Sequence, residues 1–302
     1  MIIYLGGNDY EYQASGYNKK SEPPARLFSY FYLKGSDKKL KELKNTKGKI
    51  FLDSGAFSAW NSKKEIDLKE YIKFVKKHKN HMNSYAGLDV IGDPKATLVN
   101  QRKMEKAKLK PLPCFHYKED VNYLKMYLKD HDHIALGGMV HASKRKGQLY
   151  AWLDKIFSEY LCDDKGYPKV KVHGFGIASL DAMLRYPWHS IDTTTWGYAS
   201  RMGEIMVPKM REGDWDYTEI PSRVAMTETT TKKKNNFANL PPLRKKQVTQ
   251  YCIDKGWSVK KVGKDIVARG AINIQFFQDF GASVEYPKPM VLDTEERGFG
   301  LE

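Results

Sequence analysis

Short apolar runs alternate along the first two thirds of the chain with longer stretches in which apolar residues recur every three or four positions. The short runs predict β-strands, and the longer stretches predict amphipathic helices. The predicted strands are Ile2–Leu5, Ile50–Asp53, Ser84–Asp89, Pro111–Phe115, His133–Gly137, Val170–Gly174 and Ser190–Asp192. The predicted helices are Asp37–Asn45, Asp67–Lys79, Pro94–Lys108, Glu119–Lys129, Gln148–Cys162 and Ser179–Tyr186.

This alternation predicts parallel strands that are joined by right-handed helical crossovers. Seven strand–helix units within about 190 residues favour a closed (β/α)8 TIM-type barrel over an open doubly wound sheet. No strand is followed by a GxGxxG or GxxxxGK[ST] loop, which argues against a dinucleotide-binding fold and a P-loop. Asp67 precedes an amphipathic run and is predicted to cap its helix.

The pattern changes after residue 200. Strands are predicted over Gly203–Pro208 and Tyr217–Ala225, and a polar run over residues 227–236 predicts an exposed loop. Helices are predicted over Pro241–Lys255 and Lys260–Phe280. We therefore expect a catalytic barrel region over residues 1–226. Residues 227–302 form a basic loop and a C-terminal helical/β extension, which either completes the barrel or is a small appended module.

Composition adds a partner class and a compartment. Lys and Arg number 51 against 36 Asp and Glu, a net charge of +15, which predicts a polyanionic partner such as a nucleic acid. The alternative is a lysine-rich surface that is simply solvated. The three cysteines lie far apart, which argues against a disulfide framework or a structural zinc site. No apolar run or basic leader predicts a membrane span or a signal peptide, so we expect a cytoplasmic protein without membrane contact.

Unusual polar residues follow the predicted strands. Three acids occupy such positions, and so do two histidines and a pair of glycines: Asp53, Asp89, Asp192, His116, His173, Gly137 and Gly138. A single Asp after a strand is most often a helix cap, and a glycine pair is most often a tight turn. Because the carboxyl ends of barrel strands meet at one mouth, the set as a whole predicts an active site there.

Four of these runs resemble the landmarks of the tRNA-guanine transglycosylase superfamily, in the same order. They are FLDSGAFS at 51–58, ALGGMV at 135–140, HGFGIASLD at 173–181 and SIDTTTW at 190–196. The resemblance covers roughly residues 50–200 and is weak outside those motifs. It implies a TIM-type barrel enzyme, a pentosyltransferase that exchanges guanine in a nucleic acid for a modified purine through a covalent Asp–glycosyl intermediate.

The resemblance also assigns roles to residues. It implies that Asp192 is the nucleophile, that Asp53 is the general acid/base, and that Asp89 reads the guanine edge. Phe57 packs against the base, and the backbone amides of Gly137 and Gly138 contact it. The other substrate-binding residues predicted from these motifs are Ser54, His116, Met139 and His173.

Three departures from the family pattern bear on the polymer. Ala56 replaces the second glycine of the DSGG motif, His116 occupies the position of a base-reading Gln, and the C-terminal Cys3His zinc site is absent. These features look more like the phage-type branch that inserts 7-deazaguanine derivatives into DNA. DNA is therefore favoured over tRNA, with host cytoplasm as the location if the chain is phage-encoded.

The chemistry expected from the residues agrees with this resemblance. Base exchange with retention needs one carboxylate nucleophile and one acid/base, and it requires neither a metal nor a cofactor. A carboxylate accepts both N1–H and N2–H2 of guanine, and the base must leave its stack to enter the pocket. Four basic residues are predicted to contact the nucleic-acid backbone: Lys144, Arg145, Lys146 and Arg201.

Three alternatives stay open at this point. The same chemistry acts on tRNA, or water replaces the incoming purine and the chain is a base-excising glycosidase. The third alternative is a nucleic-acid-binding barrel without catalysis, which predicts an incomplete set of acids at the mouth. The presence of Asp53, Asp89 and Asp192 together argues against that last alternative.

Overall fold

The computed structural model describes residues 1–7, 23–139, 146–230 and 232–291. Eight parallel strands form its central sheet. They are β1 Ile2–Gly6, β2 Arg26–Ser29, β3 Ile50–Asp53, β4 Ser84–Tyr85, β5 Cys114–His116, β6 His133–Gly137, β7 Lys171–Gly174 and β8 Ser190–Thr193. Their order in the sheet is β4-β3-β2-β1-β8-β7-β6-β5. The chain therefore runs from β1 in the middle to the edge strand β4, and then from the other edge strand, β5, back to the middle at β8.

The sheet curls as in a TIM-like barrel, which confirms the predicted α/β architecture. Its edge strands β4 and β5 are joined by one isolated parallel bridge, Ala86 to Leu112, and no regular ladder among the described residues closes the circle. The closed barrel that the sequence predicts is therefore only partly observed. At this bridge the Leu112 N–H donates to the Tyr85 carbonyl, and the Leu112 carbonyl accepts the Gly87 N–H.

The eighth strand comes from an unexpected segment. β2 lies between β1 and β3, with Ser29 opposite Asp53, and the sequence pattern missed it because only four residues pair. The strands after residue 200 lie outside the main sheet. They are β9 Glu204–Val207, β10 Lys209–Arg211, β11 Asp214–Asp216 and β12 Ser222–Ala225, and they form two antiparallel pairs, β9 with β12 and β10 with β11.

Helices connect the strands and cover the sheet. They are α1 Tyr30–Leu33, α2 Asp37–Asn45, α3 Ala56–Asn61, α4 Leu68–His78, α5 Pro94–Lys106, α6 Val121–Asp130, α7 Lys146–Ile156, α8 Leu180–Arg185, α9 Thr195–Arg201, α10 Pro242–Asp254, α11 Val259–Lys264 and α12 Ile266–Ser283. Asp67 caps α4 as predicted, because its carboxylate accepts the Glu70 N–H at 2.9 Å. Asp265 divides the predicted helix Lys260–Phe280 in two, since it caps α12 by accepting the Val267 N–H at 2.8 Å.

Helix α12 belongs to two hydrophobic clusters. Its Phe276, Phe277 and Phe280 are fully buried in the main cluster, which includes residues of β1, β6 and β8. Its Ile272 joins a separate cluster built from β9, β12, α10 and α11. Between them the buried Asn273 amide accepts the Met206 N–H and donates to two carbonyl groups, which joins α12 to β9 and α9. The predicted division at residue 226 stays a prediction.

No helix in the part of the chain that the structure describes combines the length and the apolarity that a membrane crossing requires.

Candidate active site

A cavity of about 640 Å³ opens at the carboxyl ends of the sheet strands. It is lined by residues from β3, β5, β6 and β8 and from the segments that follow them. Seven predicted site residues line it: Asp53, Phe57, Asp89, His116, Gly137, Gly138 and Asp192. The parallel sheet thus brings together acids that are 36 and 103 residues apart in sequence, from 53 to 89 and from 89 to 192.

Asp53 ends β3 where the chain turns sharply into α3. Gly55 has a left-handed φ of 79°, and a Cβ there would lie 2.5 Å from Cβ of Phe31, so this turn requires glycine. The Gly55 N–H donates to the Asp53 carboxylate, which tends to lower its pKa. Burial outweighs this hydrogen bond and, with the nearby charges of Asp192 and Asp89, raises the pKa of Asp53 to about 7.

Asp192 lies in β8 and is held by two groups of the neighbouring strand and its loop. Its Oδ1 accepts the Gly176 N–H at 2.9 Å and lies 3.4 Å from Nε2 of His173. The His173 ring is fully buried and stacks on Phe51 at a centroid distance of 4.4 Å, and its Nδ1 lies 2.9 Å from the Ser190 hydroxyl. His173 therefore packs behind the Asp192 carboxylate, although its Nε2 makes no hydrogen bond at this distance.

Two of the threonines that follow Asp192 bond to each other and to the backbone. Thr193 and Thr195 bond to each other through their hydroxyl groups at 2.9 Å, and the Thr195 hydroxyl also donates to the Ala178 carbonyl. Both side chains are buried. They shape the turn into α9, and the Gly176 amide orients the Asp192 carboxylate.

A second cluster lies at the ends of β4 and β5. His116 Nε2 is 3.4 Å from Asp89 Oδ2, and its Nδ1 is 3.1 Å from Glu119 Oε1. Burial lowers the pKa of His116, but Cys114 and Asp89 beside it outweigh burial and raise that pKa above its usual value. Burial also raises the pKa of the Cys114 thiol to about 12. Asp89, Cys114 and His116 offer ligand atoms that all lie within 4.8 Å of one another, a spacing at which they could hold a metal ion.

An aromatic pair stands at the rim of the cavity. Phe57 is the second residue of α3, and its ring stacks on that of Trp60 at a centroid distance of 6.2 Å and an angle of 29°. The Phe57 side chain is 38% exposed and Trp60 is 53% exposed, so both offer an apolar face to a ligand. Trp60 lies one helical turn after Phe57, as i, i+3 neighbours on a helix surface do.

The other predicted site residues occupy different surroundings. Ser54 is fully buried, and its hydroxyl oxygen accepts the Ala56 N–H at 3.4 Å. Met139 is buried in the main hydrophobic cluster. Lys146 and Arg201 are exposed, whereas Lys144 and Arg145 lie outside the described residues. The predicted substrate-binding and backbone-binding roles of these residues stay predictions.

The structure adds residues to the cavity that the sequence did not single out. Trp60, Cys114, Lys118, Glu119 and Phe175 also line it. The spacing of Phe57 and Trp60 on one helix was a usable signal, and so was Glu119 three residues after His116. Cys114 carries no comparable signal, because a single cysteine within an apolar strand is most often a core residue.

Comparison of the chain with protein-family models found no matching family, and comparison with curated proteins found no match either.

Proposed function

We propose that the protein exchanges guanine in a nucleic acid, with DNA favoured, for a 7-deazaguanine-type base through a covalent glycosyl–enzyme intermediate. The observation that carries this proposal is the convergence of Asp53, Asp89 and Asp192 on one cavity from three separate strand ends. Exchange with retention needs two carboxylates in different states of protonation, and a third serves base recognition. The motif order shared with the tRNA-guanine transglycosylase superfamily supports the same assignment.

In the first half of the reaction Asp192 acts as the nucleophile. Its carboxylate attacks C1′ of the target nucleotide, the C1′–N9 bond breaks, and an ester forms between Asp192 and the sugar. The departing guanine takes a proton from Asp53. A pKa of about 7 suits Asp53 to this step, because a large fraction is protonated at neutral pH.

In the second half the same groups act in reverse. The Asp53 carboxylate removes the N9 proton of the incoming base, N9 attacks C1′, and the ester bond to Asp192 breaks. Its pKa near neutrality lets Asp53 return the proton as readily as it takes one. The Gly176 N–H donates to the Asp192 carboxylate and His173 packs behind it, so the nucleophile need not reorganise between the two steps.

Base recognition is assigned to the opposite side of the cavity. Asp89 is suited to accept the N1–H and N2–H2 groups of guanine, because its Oδ1 is buried without a hydrogen-bond partner. The Gly137–Gly138 segment is suited to approach the base closely, because neither residue carries a side chain. Phe57 and Trp60 offer faces for stacking at the rim, where an unstacked nucleotide would enter.

Incorporation of labelled guanine into duplex DNA, single-stranded DNA and tRNA tests this proposal directly. We expect label in DNA, with strands intact and with no abasic sites. Label in tRNA alone would reassign the polymer, and abasic sites without incorporation would reassign the reaction to a glycosidase. The variant Asp164→Asn is a matched control, since this exposed acid lies in the loop before β7. Absence of both label and base release from every polymer would overturn the proposal.

A further inference from the structure

The strongest feature outside the exchange chemistry is the mixed donor cluster of Asp89, Cys114 and His116. One carboxylate oxygen, one sulfur and one ring nitrogen lie within 4.8 Å of one another at the inner end of the cavity. Cys114 and His116 alternate along β5, and Asp89 follows the neighbouring strand β4. Catalytic zinc sites use such a set of three protein ligands, with a fourth position open to solvent or substrate.

The spacing of the donor atoms fits a tetrahedral ion. Donors that each lie about 2.0–2.3 Å from zinc are about 3.3–3.8 Å from one another in a tetrahedron. Asp89 Oδ2 and His116 Nε2 are 3.4 Å apart, which falls within that range. A separation of at most 4.8 Å for the sulfur requires only a small movement of the Cys114 side chain.

Glu119 orients the imidazole for this purpose. Its Oε2 accepts the backbone N–H of His116 at 2.9 Å, and its Oε1 lies 3.1 Å from Nδ1. When Nδ1–H donates to Glu119, the lone pair of Nε2 points at the Asp89 carboxylate. Two acceptors facing each other need a cation or a second proton between them. Carboxylates that orient metal-binding histidines in this way are a regular part of such sites.

The surroundings of the cluster leave room for an ion and a ligand. A Cβ on Gly137 would lie 2.7 Å from the Cys114 sulfur and 3.3 Å from His116 Nε2, so the glycine keeps this volume free. The Asp89 Oδ1 atom is buried without a hydrogen-bond partner. The three residues of the cluster line the same cavity as Asp53 and Asp192.

We propose that Asp89, Cys114 and His116 form a binding site for a zinc-class divalent cation, with Glu119 as the orienting residue and the fourth position open to the cavity. A sulfur–nitrogen–oxygen donor set selects zinc or cobalt over magnesium and calcium, which prefer oxygen alone. The site is inferred from geometry and does not rest on base exchange. With the cation bound through Asp89 Oδ2, the buried Oδ1 stays available to the N–H donors of the base.

Titration of the chelator-washed full chain with Co²⁺ tests the site without nucleic acid. We expect one saturable site with sulfur-to-cobalt charge-transfer absorption and tetrahedral d–d bands. Zn²⁺ should displace the cobalt, and Mg²⁺ should not. Cys114→Ser should remove the charge-transfer band, and His116→Gln should weaken binding at least tenfold. Cys252→Ser is the matched control, because this buried cysteine lies in the β9–β12 cluster, and it should bind as the wild type does.

A thermal measurement guards against misfolded variants. Zn²⁺ at a concentration above its Kd should raise the Tm of the wild type and of Cys252→Ser, but not that of Cys114→Ser. No saturable cobalt binding by the wild type, or binding unchanged in both Cys114→Ser and His116→Gln, would overturn the proposal and leave an imidazolium between two carboxylates. Base exchange assayed separately with EDTA then shows whether the reaction needs the cation, so that the two proposals fail independently.

Discussion

The histidines at the two ends of the parallel sheet have opposite surroundings. At the carboxyl end, His116 lies between the carboxylates of Asp89 and Glu119. At the amino end, His133 and His189 pack edge to face at a centroid distance of 5.3 Å, and one ring nitrogen of each is buried without a hydrogen-bond partner. Burial and neighbouring positive groups lower the pKa of His133 to about 3 and that of His189 to about 4.

This contrast distinguishes the groups at the carboxyl end, which serve chemistry, from those at the amino end, which serve stability. Charged groups at the carboxyl end are held against each other around a cavity, which costs folding free energy and serves ligands. The amino end keeps its histidines neutral and packed, so it contributes to stability only while they stay unprotonated. Substitutions at the carboxyl end should therefore change activity more than stability, and acidification should lower stability through the histidines of the amino end.

The largest expected effect is that of Asp192→Asn at the carboxyl end. The amide keeps the shape of the side chain but cannot attack C1′, so we expect covalent adduct to fall about 10³-fold or more. Denaturing gels of the protein with DNA and with tRNA measure the adduct. Binding to the polymer should stay close to wild type, because phosphate contacts dominate affinity. An adduct as abundant as in the wild type would place the nucleophile elsewhere.

Asp53→Asn should have the next largest effect, a loss of about 10²-fold or more in exchange rate, because proton transfer to the departing base is removed. The pH profile distinguishes this role from a structural one. Burial holds the pKa of Asp53 at about 7. The protonated form is needed for guanine release, so adduct formation by the wild type should fall as pH rises above about 7. If adduct formation by Asp53→Asn also fell as pH rises above about 7, the titration would belong to another group.

Acidification tests the amino end. The folded-state pKa values of His133 and His189 are about 3 and about 4, below the unfolded value near 6.5. The unfolded chain therefore binds more protons between these values, and the free energy of unfolding should fall as pH falls from 6.5 to about 3. The two pKa differences correspond to about 8 kcal/mol in full, at about 1.4 kcal/mol for each pKa unit. Because both side chains are only partly buried, we expect the pair to lose roughly half of that.

Urea unfolding of wild type and His189→Phe at pH 7 and pH 4.5 measures this effect. The phenylalanine keeps the ring packing and removes one titrating group, so its stability should depend less steeply on pH. Equal pH dependence of the two proteins would remove the amino-end histidines as the cause of acid sensitivity.

Trp60→Ala should have a smaller effect, at the rim of the cavity. Loss of one stacking face costs about 1–3 kcal/mol per base, so we expect about tenfold weaker binding of single-stranded DNA. Tyr167→Ala is the control, since this side chain is 42% exposed and lies in the loop before the amino end of β7. Equal losses from both variants would mean that aromatic contacts with DNA are not confined to the carboxyl end.

The same contrast explains what the sequence could and could not predict. Asp53, Asp89 and Asp192 each follow an apolar strand run, and strand ends of a parallel sheet share one edge, so local pattern was enough to bring them together. β2 was not predicted, because a strand of four residues is too short to show a periodic pattern. The presence of Cys114 in the cavity depends on contacts between distant segments, which no local pattern contains. The division of the last helix at Asp265 is instead a local cap that the helical pattern on both sides of it obscured.

The smallest expected effect concerns three basic residues that follow β6 in the sequence. Lys144, Arg145 and Lys146 follow the glycine pair of β6, and replacing all three by Ala should remove contacts with phosphate groups. Each lost contact lowers the slope of log affinity against log salt by about 0.9, and affinity at moderate salt should fall several-fold. Base choice should not change, because phosphate contacts carry no sequence information.

The matched control places the same charge change at the opposite end of the sheet. Lys47, Lys49 and Lys171 are exposed at or just before the amino ends of β3 and β7, and replacing them by Ala removes three positive charges from the net +15. A general effect of net charge would weaken binding equally in both triple variants. A polymer that docks at the mouth should instead lose salt dependence only in the first, because screening removes charge interactions beyond about 10 Å in 0.1 M salt. Equal salt slopes in the two variants would show that the basic surface as a whole, and not the carboxyl end, attracts the nucleic acid.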